Sequence, residues 1–432
     1  MSRIDELFAF LARSVSPFHA VDAVCAKLDA AGYLRLQEKD AWDIRPGGKY
    51  YVTRNGSAVA AFALPEEPFA GFLITASHSD SPTFKLKPVS QWKNAGYTML
   101  DVEGYGGMLC STWLDRPLGI AGRVMVEEEG GLRSRAVCLD PLRVVIPNLA
   151  IHMDRTANDG KSWKMQTDMA PLYGGPDAAD LTGALAKAAG VQPEQVAASE
   201  LYLYNPQPGQ RVGAEGEYLC APRLDDLECA FGTLTGLLEA EPQGNVNVFA
   251  MLDNEEVGSG TKQGADSNFL AGVLERVCLA AGRGRDGYFA ALASSMMLSA
   301  DNAHAVHPGY PGKSDPVTVT RMNEGVVIKA HAGQKYTTDA VSAALVRSIA
   351  KRAGVPVQWF VNHSDVRGGS TLGNLSTTQA AINTVDIGLA QLAMHSCMET
   401  AGAKDVDALC ELSCAFYSTR LRCEGDGSWK IG

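Results

Sequence analysis

Five segments of the 432-residue sequence each put a residue able to bind a metal ion at the end of an apolar run: LITASHSDSP, CAPRLDDLECAF, VFAMLDNEEVGSG, MMLSADNAHAVHP and LAMHSCMET. Together they offer His78, Asp225, Glu256, Asp301 and His395. Two imidazoles and three carboxylates suit zinc, with cobalt or manganese as alternatives. Taken singly, an Asp after a strand is more often a cap, a Glu-Glu pair a solvated surface and a lone His a structural residue. The weight lies in five such residues at equivalent places. In open α/β sheets, loops converge beyond the carboxyl ends of the strands, and a site can form there without disturbing the core.

One shared carboxylate would let these five residues hold two ions. Asp225 is the expected bridge, because its two oxygens can each face one ion of a pair about 3.5 to 4 Å apart; Asp226 is expected to cap the following helix. Glu255 and Glu256 are expected at a strand end, where adjacent side chains point differently. Glu256 would bind metal while Glu255 faces the attacking water as general base. Asp80 would accept the second N–H of His78 and fix its tautomer. The chemistry is metal-assisted hydrolysis. A carboxypeptidase or N-acyl amino-acid deacylase on a similar centre would need an arginine clamp for a free α-carboxylate, and Arg367 is the loop arginine that would serve. A non-catalytic shell protein would have no use for Glu255.

The elements that must position these residues read as an α/β domain with an insertion. Residues 3 to 31 have helical apolar spacing broken at Pro17, predicting two helices. KYYVTR and SAVAAFAL flank Asn55-Gly56, a hairpin signal, and GFLITAS reads as a buried strand leading to His78 and Asp80. Short β-like runs dominate from about Val89 to Tyr218, with one helical stretch near DAADLTGALAKAAG. Helix and strand patterns then alternate to the end, which predicts a mostly parallel sheet. The expected division is a discontinuous α/β domain, residues 1–88 and 219–432, interrupted by a β-rich domain over 89–218.

Composition narrows the class. Hydrophobic residues make up 46% of the chain, enough for a large core. A formal charge of −11 without a Lys/Arg run lacks the footprint of nucleic-acid binding. No apolar stretch predicts a membrane span or a signal core. Ten scattered cysteines with no C-x-x-C pair read as buried thiols of a reducing, cytoplasmic compartment.

The motifs His78-Ser-Asp80-Ser-Pro82, Pro222-Arg-Leu-Asp225-Asp226, Asp253-Asn-Glu255-Glu256-Val-Gly258-Ser259, Ser299-Ala-Asp301-Asn-Ala-His304-Ala-Val-His307-Pro308 and Met394-His395-Ser396 resemble the aspartyl aminopeptidase family, whose relatives include vacuolar aminopeptidases of yeast. The resemblance runs in one order across nearly the whole chain. It implies an aminopeptidase cutting single residues from peptide N-termini, acidic ones first, with neutral or apolar ones as the alternative. One ion would be held by His78, Asp225 and Asp301, the other by Asp225, Glu256 and His395, with Glu255 as base and Asp80 behind His78. Substrate recognition would fall to His304, His307 and Lys329, and His152 would reach into a neighbouring subunit. The implied fold is an α/β peptidase domain with a β-rich dimerisation domain, twelve subunits forming a tetrahedral shell. One departure stands at Gly368-Gly-Ser-Thr-Leu-Gly-Asn374 after Asp365, where many relatives carry Cys-Gly-Thr-Thr-Ile-Gly-Pro; the expected place of this loop near the substrate pocket makes it bear on substrate preference.

Overall fold

A computed structural model describes residues 2–366, 368–369 and 371–432. Its centre is a nine-stranded mixed sheet in the order Leu34–Arg35, Lys49–Arg54, Ala58–Ala63, Val246–Leu252, Phe72–His78, Met296–Ala300, Asn383–Gly388, Val326–Lys329 and Val357–Phe360. The four strands from Val246–Leu252 to Asn383–Gly388 are parallel, so their carboxyl ends open at one edge.

These strands are buried on both faces, and alternate residues enter separate cores. Phe249, Met251 and Leu298 pack with the helices Leu224–Glu239, Ala340–Ala353 and Ala403–Tyr417, which supply Phe231, Val346 and Leu409. Val248, Ile74 and Met297 face Phe269, Val273 and Leu274 of the helix Phe269–Ala280 on the other side. Each such side chain, fully withdrawn from water, contributes roughly 1.5–3 kcal/mol, and double-sided burial keeps the sheet edge rigid enough to carry a site. The expected hairpin forms at Asn55 and Gly56, both in the left-handed region at φ 58° and 68°, as a tight hairpin turn requires.

The chain leaves this layer through the strand Thr83–Asn94, within which residue 89 lies, and builds a six-stranded antiparallel sheet. Its order is Gly131–Cys138, Gly119–Glu128, Val196–Tyr204, Thr83–Asn94, Tyr97–Tyr105 and Leu172–Gly174. Phe84, Trp113, Ile120 and Leu201 belong to a core of its own. A five-stranded sheet unforeseen from sequence follows: Gln210–Val212, Tyr218–Ala221, Glu399–Gly402, Ala390–Leu392 and Ala303–His304. Among the described residues no helix is long and apolar enough to cross a membrane.

Candidate metal centre

Three neighbouring parallel strands and the small five-stranded sheet converge on one point. His78 is the last residue of Phe72–His78, and Asp301 follows Met296–Ala300 directly. Beyond Val246–Leu252 the chain passes Asn254 into a single 3-10 turn, Glu255–Val257. The glutamate pair therefore sits on a turn and not, as expected, at a strand end. From the five-stranded sheet, Tyr218–Ala221 leads through Arg223 to Asp225 at the start of the helix Leu224–Glu239, and His395 lies in the connection between Ala390–Leu392 and Glu399–Gly402. Arg223, Asn254, Ala393 and His395 all have positive φ, between 56° and 67°. Non-glycine residues so held cost about 1–3 kcal/mol each, and such strain gathers where a site over-determines the backbone.

Asp225 stands between two histidines: its Oδ1 is 3.5 Å from Nε2 of His78, and its Oδ2 is 3.3 Å from Nε2 of His395. Glu256 Oε1 lies 3.5 Å from the same His395 nitrogen. Ligand atoms of His78, Asp225 and Asp301 fall within 4.8 Å of one another, as do those of Asp225, Glu256 and His395, and those of His78, Glu255 and Glu256. Asp225 Oδ1 and Glu256 Oε1 are buried without a hydrogen-bond partner. Orphaned buried carboxylate oxygens are costly, and a divalent cation answers both the orphaned oxygens and the crowding of negative charge. The donor set, nitrogen and carboxylate oxygen with no thiolate, fits zinc or a similar ion.

Charge crowding is visible in the titration of the groups. Burial, opposed by His78 and reinforced by Asp301 and Asp80, pushes the Glu255 carboxyl up to about 8. Burial and then Asp225 raise Glu256 well above the usual carboxylate range. Burial acts against the His395 imidazolium, but Asp225 and Glu256 outweigh it and hold the ring at about 10. Asp225, flanked by both rings, stays below its ordinary value despite its burial.

Two expectations are corrected. Asp226 does not cap the helix: its buried Oδ2 accepts the backbone N–H of His78 at 3.1 Å, tying the bridge segment to the central strand. The second nitrogen of His78 lies 3.0 Å from the backbone carbonyl of Asp80, closer than the Asp80 carboxylate at 3.4 Å. That carboxylate instead accepts the N–H groups of Glu255 and Glu256, both at 3.2 Å, and the hydroxyl of Tyr105 at 2.8 Å. It orders the glutamate turn while standing beside the ring of His78.

Lys329, expected to meet substrate, is 3% exposed; its Nζ donates to the carbonyl of Asn302 at 2.8 Å and sits 3.7 Å from Asp301 Oδ2. Its strand is the second from the sheet edge. His304 ends a strand of the five-stranded sheet with its ring edge-on to Phe360, and His307 is exposed beside Tyr310. His152 lies on an exposed turn and joins none of the three ligand groups. Asp365 is exposed; Arg367, and Ser370 of the divergent loop, lie outside the described residues.

Glu399 was not anticipated. It is 2% exposed, and its two oxygens accept the backbone N–H groups of His395 at 2.7 Å and Asp225 at 3.0 Å, fixing two ligand backbones from behind. Burial, then the charge of Asp225, pushes it up to about 8. Its signal was a carboxylate four residues beyond His395, inside a segment already singled out.

Residues 10–417 match the family described as aminopeptidase I zinc metalloprotease (M18). The probable M18 family aminopeptidase 2 of Clostridium novyi (strain NT) is 42% identical over 411 residues, spanning 93% of this chain and 95% of its own. Ape4, in a complex with Nbr1, matches with a TM-score of 0.92 at 36% identity over 96% of this chain and 85% of its own. The S. cerevisiae mApe1 dodecamer matches with a TM-score of 0.82 at 30% identity over 96% and 95%.

Proposed function

The chain belongs to the M18 family of zinc metallo-aminopeptidases, and from that premise we propose that it removes single N-terminal residues at a two-ion centre with Glu255 as general base. One ion would be held by His78, Asp225 and Asp301, the other by Asp225, Glu256 and His395. The observation that carries this reading is the placing of the two Asp225 oxygens, each turned to a different histidine at 3.5 and 3.3 Å. When bound, the ions supply Lewis acidity and a water acidified toward neutral pH. Glu255 would take a proton from the attacking water and return it to the leaving amine. Burial raises the proton affinity of this carboxyl, the direction a general base requires. Asp80 keeps the Glu255 backbone in place, and the surrounding carboxylates receive the free N-terminal amine, which confines cleavage to the chain end.

The test is Glu255→Gln, which keeps the size of the side chain and removes its basicity. Turnover of an aminoacyl-anilide should fall by roughly 10²–10⁴-fold or more while bound zinc is unchanged; near-normal turnover would exclude the assignment.

For substrate, we propose N-terminal Asp or Glu, with Lys329, His304 and His307 as the recognising residues. A second reading, neutral or apolar N-termini, is favoured by Lys329 already standing beside Asp301. The ratio of kcat/KM for aspartyl and leucyl anilides decides between them, and equality sinks the acidic preference.

We further propose that the β-rich segment, 89–218, is a dimerisation domain, that dimers assemble into a tetrahedral dodecamer, and that His152 completes a neighbour's site. Exposed apolar side chains on this segment support the reading, among them Val89 at 85% and Met153 at 76%, the latter next to His152. Ten free thiols suit the proposed cytoplasmic location.

A further inference from the structure

The strand Tyr97–Tyr105 of the six-stranded sheet ends against the metal centre. Tyr105, 7% exposed, donates its hydroxyl proton to Asp80 Oδ2 at 2.8 Å and accepts from Asn254 Nδ2 at 2.8 Å. Asp80 is the carboxylate that holds the backbone of Glu255 and Glu256. Phenol, carboxylate and glutamate turn are thus one hydrogen-bonded unit, although the phenol comes from a different sheet. Its ring is fixed by Tyr202, edge-on at 5.5 Å.

The next two residues touch the ligands directly. Gly106 has φ +75°, and a Cβ there would stand 3.1 Å from Cβ and 3.3 Å from Oε2 of Glu256. The left-handed backbone favours glycine, and a Cβ would press directly on the Glu256 side chain. The carbonyl of Gly107 accepts the proton of His395 Nδ1 at 3.0 Å, which leaves Nε2 facing Asp225 and Glu256. Leu109 N–H then donates to the His395 carbonyl at 2.9 Å, and Thr112 Oγ1 accepts the N–H of Cys397 at 2.9 Å, so the whole His395 connection leans on this segment. A tyrosine serving only to fill its sheet would have no reason to place both hydroxyl bonds on residues of the site.

We infer that Tyr105-Gly106-Gly107 is the outer wall of one half of the metal centre, positioning Glu256 and His395 for their ion and the glutamate turn for catalysis. Tyr105 and Gly106 are positioning residues that act through Asp80 and Glu256. The inference rests on the two-ion reading above. Its distinctive consequence is asymmetry: the contacts of Gly106, Gly107 and Leu109 fall on Glu256 and His395, and none of them falls on Asp301.

The test uses the full-length, assembled protein with Tyr105→Phe, Gly106→Ala, and Tyr97→Phe as a control at the exposed far end of the same strand. Zinc per chain and stepwise affinity are measured by competition with a chromogenic chelator, alongside kcat and KM for an aminoacyl-anilide. Tyr105→Phe should weaken zinc binding by roughly 10–100-fold and lower kcat by roughly tenfold or more with little change in KM. Gly106→Ala should weaken one zinc equivalent well beyond the other, and the control should match wild type. Wild-type zinc affinity and wild-type kcat in Tyr105→Phe, or equal weakening of both sites in Gly106→Ala, overturns the inference; because Tyr105→Phe nearly keeps its volume, it still decides the matter if Gly106→Ala does not fold. A wild-type protein that binds a single zinc would instead refute the two-ion reading, independently of these variants.

Discussion

At the scale of single residues, the centre is a collection of groups whose proton affinities have been forced away from their ordinary values, and this has a pH signature. Glu255 and Glu399 are pushed up to about 8, so between the ordinary carboxylate range and pH 8 the folded chain holds protons that the unfolded chain has released. Stability then falls as pH rises through that window. His395, held at about 10, adds stability that is complete below the ordinary imidazole range and is lost as pH climbs toward 10, the same direction. Asp225, held below its ordinary range, contributes stability that is lost only in stronger acid. Chelated protein should therefore show a melting temperature that declines from about pH 5 to about pH 8, while the increment from added zinc grows over the same range because ligands bind metal only when deprotonated. A flat or rising profile for the chelated protein would contradict this. The five candidate ligands, which the structure brings together, were legible in the sequence because metal chemistry admits few side chains. Sequence reasoning misjudged Asp226 because an aspartate before a helix has the same sequence signature whether its carboxylate caps the helix or turns inward to the N–H of His78.

At the scale of elements, legibility followed strand length. Phe72–His78 and Val246–Leu252 are seven residues long and apolar, buried on both faces, and such runs announce themselves and the polar residues at their ends. The strands of the five-stranded sheet have two to four residues each, too few to show a period, so the element that delivers Asp225 and His395 was invisible. Tyr105 was hidden for another reason: its partners, Asp80 and Asn254, are 25 and 149 residues away, and no local pattern reports such a contact. The strand Asn383–Gly388 offers a test of how tightly elements fix the ligands. A Cβ on Gly388 would lie 1.9 Å from the backbone oxygen of Asp301, so Gly388→Ala must push the two chains apart. Expected are a stability loss of about 1–3 kcal/mol, read from the melting temperature, and reduced zinc binding; a variant with unchanged zinc content and activity would show that Asp301 tolerates movement of its support.

At the scale of the whole molecule, the proposal that sites are completed between subunits predicts complementation. His152→Ala and Glu255→Gln should each be inactive, and mixing them under conditions of subunit exchange should restore activity, because some interfaces then pair an intact Glu255 with an intact His152. No recovery despite demonstrated exchange would confine His152 to another role. The proposed ligands are also divided in origin: His78, Glu256 and Asp301 follow strands of the nine-stranded sheet, whereas Asp225 and His395 belong to the connections of the five-stranded one. On the proposed two-ion reading, ions bound across that division would rivet one layer to the other, so zinc supply would govern the lifetime of the protein as well as its turnover. In a zinc-starved cell the first place to open would be the short connection around His395, where backbone strain is stored, and limited proteolysis of chelated protein should nick near residues 393–398 well before zinc-loaded protein is cut anywhere. Degradation would then remove the empty enzyme and spare the loaded one, a form of metal accounting that needs no dedicated sensor.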